Sequence, residues 1–183
     1  MLISENSPVS VLASFISSNK PDLVQVTGKK GAGKTCWCME LIKHACVLDL
    51  KLCGLISPAI FEDNQKVGID LLDLTSGERR RLAYRTGAEG GNLRTVEWQM
   101  VEKTLDWGNT ILENLQPCDL FILDELGPLE FEQRIGLTAG LDILDSHNKI
   151  PSVVVIRPSL LMAACTRWPW SQVVDLSTPK AGS

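Results

Sequence analysis

Val24-Gln25-Val26-Thr27-Gly28-Lys29-Lys30-Gly31-Ala32-Gly33-Lys34-Thr35 is a mostly apolar run leading into a loop of the form G-x-x-x-x-G-K-T. The run predicts a strand over Leu23 to Thr27, and a helix is expected from Lys34 to about Leu48. The loop has the P-loop pattern, in which each residue type has a physical task. Gly28 and Gly33 permit backbone conformations that a Cβ forbids and let the chain approach a polyphosphate closely. The amides of residues 30–35, with Lys30, Gly31 and Ala32 between the glycines, point inward as an anion nest at a helix N-terminus. Lys34 is placed to reach β- and γ-phosphates as a point charge, and the Thr35 hydroxyl to ligate Mg²⁺. With Lys29 and Cys36 at its two flanks, Gly28 to Cys36 is the candidate phosphate-binding set. An unoccupied glycine-rich turn is the competing reading, and the placement between strand and helix argues against it.

A second stretch, Asp119-Leu120-Phe121-Ile122-Leu123-Asp124-Glu125, is an apolar strand ending in two carboxylates. A Mg²⁺ bridging two phosphates needs a protein oxygen anchor, and Thr35 with Asp124 is the expected metal-binding pair. Glu125 is placed to accept a proton from an attacking water. Two acids after an apolar run are also what an ordinary solvated strand end looks like, so the P-loop is what gives them weight. Arg157, at the end of the strand Ser152 to Ile156, is a candidate for stabilising γ-phosphate charge, with an exposed strand-end arginine as the alternative. Glu130 reads as a carboxylate near the site or a helix N-terminal acid. The cluster Arg79-Arg80-Arg81 with Arg85 reads as a solvated hairpin face, a phosphate lid or a nucleic-acid contact.

Working outward, Ser7-Pro8 predicts a helix start, with Val9, Val11, Leu12, Phe15 and Ile16 along it and Asn19 and Pro21 after it. A strand over Lys51 to Pro58 follows the P-loop helix. Ala59 to Glu62, Lys66 to Leu74 and Glu78 to Arg85 then read as antiparallel strands separated by turns at residues 63–65 and 75–77. Residues 86–94 are glycine-rich and predict a mobile loop. Thr95 to Leu115 is expected to be helical, with Trp98 and Trp107 as packing residues and Gly108 as a possible interruption. Phe131 to Ser146 is also expected to be mostly helical. A short helix over Leu160 to Arg167 and a strand over Gln172 to Leu176 complete the order. Alternating strands and helices imply an α/β three-layer fold with a mostly parallel sheet. Its right-handed crossovers would gather Gly28 to Thr35, Asp124, Glu125 and Arg157 at one sheet edge.

The length of 183 residues predicts a single domain over 1–183, with an N-terminal helix in 1–21, a hairpin insertion at 59–85 and a tail at 177–183. A net charge of −4 disfavours a dedicated nucleic-acid binder without excluding a local basic groove. The N-terminus lacks a signal-peptide pattern and no long apolar run suggests a membrane span, so no membrane association and a cytoplasmic location are expected. The six cysteines form no C-x-x-C pair, and reduced core thiols are the expectation.

Taken together, Gly28 to Thr35, Gly54-Leu55-Ile56-Ser57-Pro58, Val67 to Leu74 with Ser76-Gly77-Glu78-Arg79, and Ile122 to Glu130 resemble the small nucleoside-triphosphatases of thermophilic microbes and a human cancer-related homologue. The resemblance spans residues 23–176. It implies a RecA-like P-loop domain with an added strand between the P-loop strand and the Asp124 strand. It also implies Mg²⁺-dependent hydrolysis of several nucleoside triphosphates with little base selectivity. Lys34, Thr35, Asp124 and Glu125 are the matched functional positions. After the Ser152 to Ile156 strand the family often carries a Thr-x-His-Arg-like sequence, where this chain has Ile156-Arg157-Pro158. Two other functions fit the same motifs: a nucleoside or nucleotide kinase with an arginine lid, and a nucleotide-switched module binding RNA or protein.

Overall fold

The computed structural model describes residues 6–17, 22–86, 93–94, 97–146 and 150–177. Leu23–Thr27 (β1) is buried at every position, as a strand covered on both faces must be. Of its two buried polar side chains, Gln25 donates Nε2 to Ser171 Oγ at 2.5 Å, while Thr27 Oγ1 has no partner among the described residues. Lys34–Val47 (α2), Leu52–Ile56 (β2), Ala59–Glu62 (β3), Gln65–Asp73 (β4) and Arg79–Arg85 (β5) follow. Then come Leu93–Arg94 (β6), Trp98–Met100 (β7), Glu102–Glu113 (α3), Leu120–Leu126 (β8), Pro128–Phe131 (α4) and Thr138–Asp145 (α5). Ser152–Ile156 (β9), Leu161–Arg167 (α6) and Gln172–Asp175 (β10) close the order that Pro8–Ile16 (α1) begins.

The strands form one sheet in the order β10-β1-β9-β8-β2-β4-β5-β7-β6, with β3 pairing β4 off that path. From β10 to β2 the pairing is parallel, and from β4 outward it is antiparallel. The strand inserted between β1 and β8 is β9. Alternate residues of the central strands feed two cores. Val24, Val26, Ile122, Val153 and Val155 meet Val11, Leu12 and Phe15 of α1 and Trp37, Leu41 and Ala45 of α2. Phe121, Leu123, Val154 and Ile156 meet Leu105 and Leu112 of α3, Leu141 and Leu144 of α5, and Trp168. Each such buried aliphatic or phenyl side chain is worth about 1.5–3 kcal/mol in area removed from water.

The N-terminal helix starts as its sequence predicts, with Ser7 accepting from Ser10 N at 3.1 Å. It lies on α2, where Trp37 Nε1 donates to Asn6 O at 3.0 Å; Val9 and Ile16 are exposed rather than part of its packed stripe. The antiparallel wing has its own internal logic. Asp73 accepts from Thr75 N, Ser76 N and Ser76 Oγ and so shapes the turn into β5, while Asp70 accepts from Arg81 Nε at 2.9 Å.

Several expectations are corrected. The helix expected over Thr95 to Leu115 is α3 alone, because residues 98–100 are a strand. Ala83, Tyr84 and Arg85 leave an unpaired edge on β5, and Trp98, Gln99 and Met100 fill it. Gly108 does not interrupt α3; a Cβ there would sit 2.7 Å from Leu137 and 2.9 Å from Leu71, so the glycine is what lets the helix lie close. Phe131 to Ser146 is not one helix but the end of α4, a break, and α5. Gly136 takes φ +83° in the break, and Glu130 holds both sides of it, accepting from Gly127 N and Leu137 N. The thiols are not all reduced core groups. Cys53 and Cys118 form a disulfide, because the parallel pairing of β2 with β8 brings their Cα atoms to 5.9 Å; Cys36 and Cys46 are exposed. Of the loop expected at 86–94, residues 93–94 form β6 and 87–92 lie outside the described residues, as do Asn19, Pro21 and the tail beyond Ser177.

Candidate active site

Parallel pairing of β1, β9, β8 and β2 places their carboxyl ends along one edge. At that edge the loop 28–33 leads into α2, whose N-cap Gly33 sits in the left-handed region at φ +85°. Lys34 folds back over the loop, its Nζ donating to Gly28 O at 2.8 Å and Lys29 O at 3.3 Å. The ammonium is thereby held on the loop's own carbonyls, and within the loop Ala32 N donates to Lys29 O at 3.0 Å. Lys30 points away from it and pairs with Glu97 beside β7.

The acidic strand behaves differently from a solvated terminus. Pairing of β8 with β9 shifts register between Leu123 and Leu126, so Asp124 and Glu125 together face Val155 in a bulge and the strand runs on to Leu126. Asp124 is 2% exposed, and its Oδ2 has no hydrogen-bond partner. Burial raises its carboxyl to about 7, the Thr35 hydrogen bond and the Lys34 charge oppose that rise, and the Glu125 charge adds to it. Its backbone carbonyl accepts from Ser57 Oγ at 2.5 Å, so the serine of the Gly54 to Pro58 stretch fixes the acid from β2.

Glu125 accepts from Arg157 Nε at 2.6 Å through Oε1. Sequence reading placed both residues at this edge but did not foresee that they pair. Glu130 is buried, which raises its carboxyl, and its oxygens are committed to backbone amides. The basic cluster is occupied on its own hairpin: Arg79 and Arg81 pair with Asp70, and Arg80 pairs with Glu78 and lies 4.4 Å from the Trp107 ring centroid.

A family model described as NTPase matches residues 23–174. The chain belongs to the NTPase family. The nucleoside-triphosphatase THEP1 of Methanopyrus kandleri is 29% identical over 137 residues, 74% of this chain and 73% of the relative. That of Pyrobaculum aerophilum is 32% identical over 132 residues, 72% and 70% of the two chains. Among solved structures, a human cancer-related nucleoside triphosphatase superposes with a TM-score of 0.65 at 18% identity, covering 86% of this chain and 89% of that one. THEP1 from Aquifex aeolicus superposes with a TM-score of 0.60 at 16% identity, covering 85% and 90%. These two establish the P-loop NTPase fold.

For this NTPase the donor set fits a hard divalent cation. A buried carboxylate oxygen without a partner, beside a hydroxyl oxygen at the N-terminus of α2, is the arrangement that a Mg²⁺ with few protein ligands uses. A side chain that no motif marks also stands at this NTPase site. Lys66 on β4 places its ammonium 4.8 Å from the Trp98 ring centroid, and burial lowers it below the usual lysine range while Glu125 and Asp124 pull it back up. Only the pairing of β4 with β5 and of β5 with β7 brings these residues together, so a motif search had no signal to find.

Proposed function

We propose that this chain, a nucleoside-triphosphatase by family, hydrolyses the γ-phosphate of ATP, GTP and other nucleoside triphosphates in a Mg²⁺-dependent reaction with little base selectivity. The observation that carries the reading is the buried Asp124 carboxylate, hydrogen-bonded to Thr35 and open at Oδ2, at the mouth of the loop that holds Lys34. A structural acid at 2% exposure would have both oxygens satisfied; one kept open is built for a ligand.

In this reading the amides of residues 30–35 bind the β- and γ-phosphates, and Lys34 exchanges its two carbonyl partners for phosphate oxygens. Thr35 and Asp124 would hold Mg²⁺, which when bound would neutralise phosphate charge. Glu125, whose Oε1 is held by Arg157, orients a water for attack on the γ-phosphorus through its other oxygen. The bond from phosphorus to the β–γ bridging oxygen breaks, yielding a nucleoside diphosphate and inorganic phosphate, and the water proton passes to Glu125. Arg157 holds Oε1 and so fixes the direction in which Oε2 points. Its commitment to Glu125 supports a positioning role rather than direct contact with phosphate.

The test is phosphate release from ATP, GTP, CTP and UTP with wild type, Lys34→Ala and Glu125→Gln. Lys34→Ala should lose turnover on every substrate, and Glu125→Gln should bind nucleotide while releasing phosphate at least about tenfold more slowly. Full turnover by Lys34→Ala would end this reading, and radiolabel appearing on an acceptor other than water would make the protein a kinase.

A further inference from the structure

A cavity of about 650 Å³ opens beside the phosphate loop, lined by Lys30, Gln65, Lys66, Arg85, Glu97 and Trp98 among others. It lies between the loop and the antiparallel wing. Its charge is uneven: three cations stand against one carboxylate, and that carboxylate is already paired with Lys30. Lys66 shares this cavity with Lys30 of the phosphate loop, and the charges of Glu125 and Asp124 act on its ammonium.

What distinguishes Lys66 is how it is held. Arg79, Arg80, Arg81, Arg157 and Arg167 all rest on carboxylates. Lys66 has no carboxylate or carbonyl partner among the described residues; its half-buried ammonium rests on the face of Trp98. A ring face orients a cation without neutralising it, and it is a weaker partner than a phosphate oxygen. A desolvated and oriented cation that no ion pair holds is what electrostatic stabilisation of developing charge requires.

We propose that Lys66 contacts the γ-phosphate as its negative charge is redistributed in the transition state, an activating cation supplied in cis by β4, with Trp98 as the platform that aims it. This rests on the hydrolytic reading above and extends it. In that chemistry charge spreads over the γ-phosphoryl oxygens while the bridging bond lengthens, so a cation placed there acts on the transition state more than on the bound nucleotide. Of the arginines that the sequence offers for this role, Arg79, Arg80, Arg81 and Arg157 rest on carboxylates, and Arg85 lines the same cavity as Lys66. Lys30 is diverted to Glu97.

The experiment compares wild type, Lys66→Met and Lys66→Arg, with Lys34→Ala as control. Methionine keeps an unbranched apolar stem against Trp98 and removes only the charge. Saturating turnover is measured together with binding of MgADP, alone and with aluminium fluoride as a mimic of the transferring phosphoryl group. Lys66→Met should lower kcat on the order of 10²–10³-fold while MgADP affinity stays within about threefold. The tightening by aluminium fluoride should disappear, and Lys66→Arg should recover both by at least about tenfold over the methionine variant. The proposal is overturned if Lys66→Met keeps kcat within about threefold, or if MgADP binding weakens by the same factor with and without aluminium fluoride. Wild type that releases phosphate while Lys34→Ala does not leaves the hydrolytic reading intact whatever Lys66→Met does. Wild type inactive on every triphosphate refutes that reading, and this one with it.

Discussion

Gly54→Ala should be among the most damaging small substitutions in this chain, although it adds one methyl group to a strand. Gly54 sits in β2 opposite Ile122 of β8, at φ +105°. A Cβ built on its backbone lies 2.0 Å from Ile122 O and 2.9 Å from Ile122 C. Real Cβ atoms stay beyond 3.0 Å, so β2 and β8 must part by a large fraction of an ångström. Neither can do so freely, because β2 is paired on its other side with β4 and β8 with β9. An L-residue in the left-handed region costs about 1–2 kcal/mol and overpacking of this kind another 1–3, so a loss of about 2–5 kcal/mol is expected. Gly77→Ala separates the two contributions: φ there is +75°, yet no atom lies within 4 Å of the added carbon. It should lose only the conformational part, about 1–2 kcal/mol. Urea unfolding of the two variants, compared at equal m, reads the difference directly. Turnover should also fall in Gly54→Ala, because Asp124 lies two residues beyond the clash and takes its position from β8. Equal losses in the two variants, or a Gly54→Ala loss below about 1 kcal/mol, would refute the steric reasoning.

Asp124→Asn should make the protein about 1–2 kcal/mol more stable in EDTA, since it removes a buried charge with an unpartnered oxygen, while Mg²⁺-dependent turnover collapses. Thermal unfolding with EDTA, then with Mg²⁺ and nucleotide, checks it: the order should reverse, and an asparagine variant less stable than wild type in EDTA would contradict the account. Asp145 ties α5 to α6, accepting from Arg167 and from Trp168 Nε1 at 2.9 Å. The Arg167 hydrogen bond, then that of Trp168, lowers its pKa against the effect of burial. A depressed carboxylate contributes stability above its unfolded value, near 3.9, and loses it as pH falls through the folded value. Asp145→Asn should therefore cost about 1 kcal/mol at pH 7, discounted because the aspartate side chain is 40% exposed, and the two denaturation curves should converge as pH falls through the folded value. A gap that persists there would assign the effect to packing instead.

How much of this was legible in the sequence follows from the range of the forces involved. A glycine-rich loop between strand and helix makes its anion nest from consecutive amides, so twelve adjacent residues suffice to read it. The central strands declare themselves because a strand buried on both faces must be apolar throughout, as Leu120 to Leu123 and Val153 to Ile156 are. Their parallel order then places the two acids beside the loop. The antiparallel wing was readable up to Arg85, where alternation and turn residues agree. It failed at Trp98 to Met100, because three residues show no period and only the open edge of β5 makes them a strand.

Only the tertiary structure decided the rest, for one reason: each such feature is a contact between residues far apart in the chain. Cys53 meets Cys118, Arg157 takes up Glu125, Glu130 closes the break at Gly136, and Lys66 settles on Trp98. The sequence by itself determined a phosphate-loop pattern between strand and helix and an apolar strand ending in two carboxylates. Packing of the wing decided which of the described cations rest on carboxylates and that Lys66 rests on a ring face instead, because a cation's partners are its neighbours in space, not in sequence.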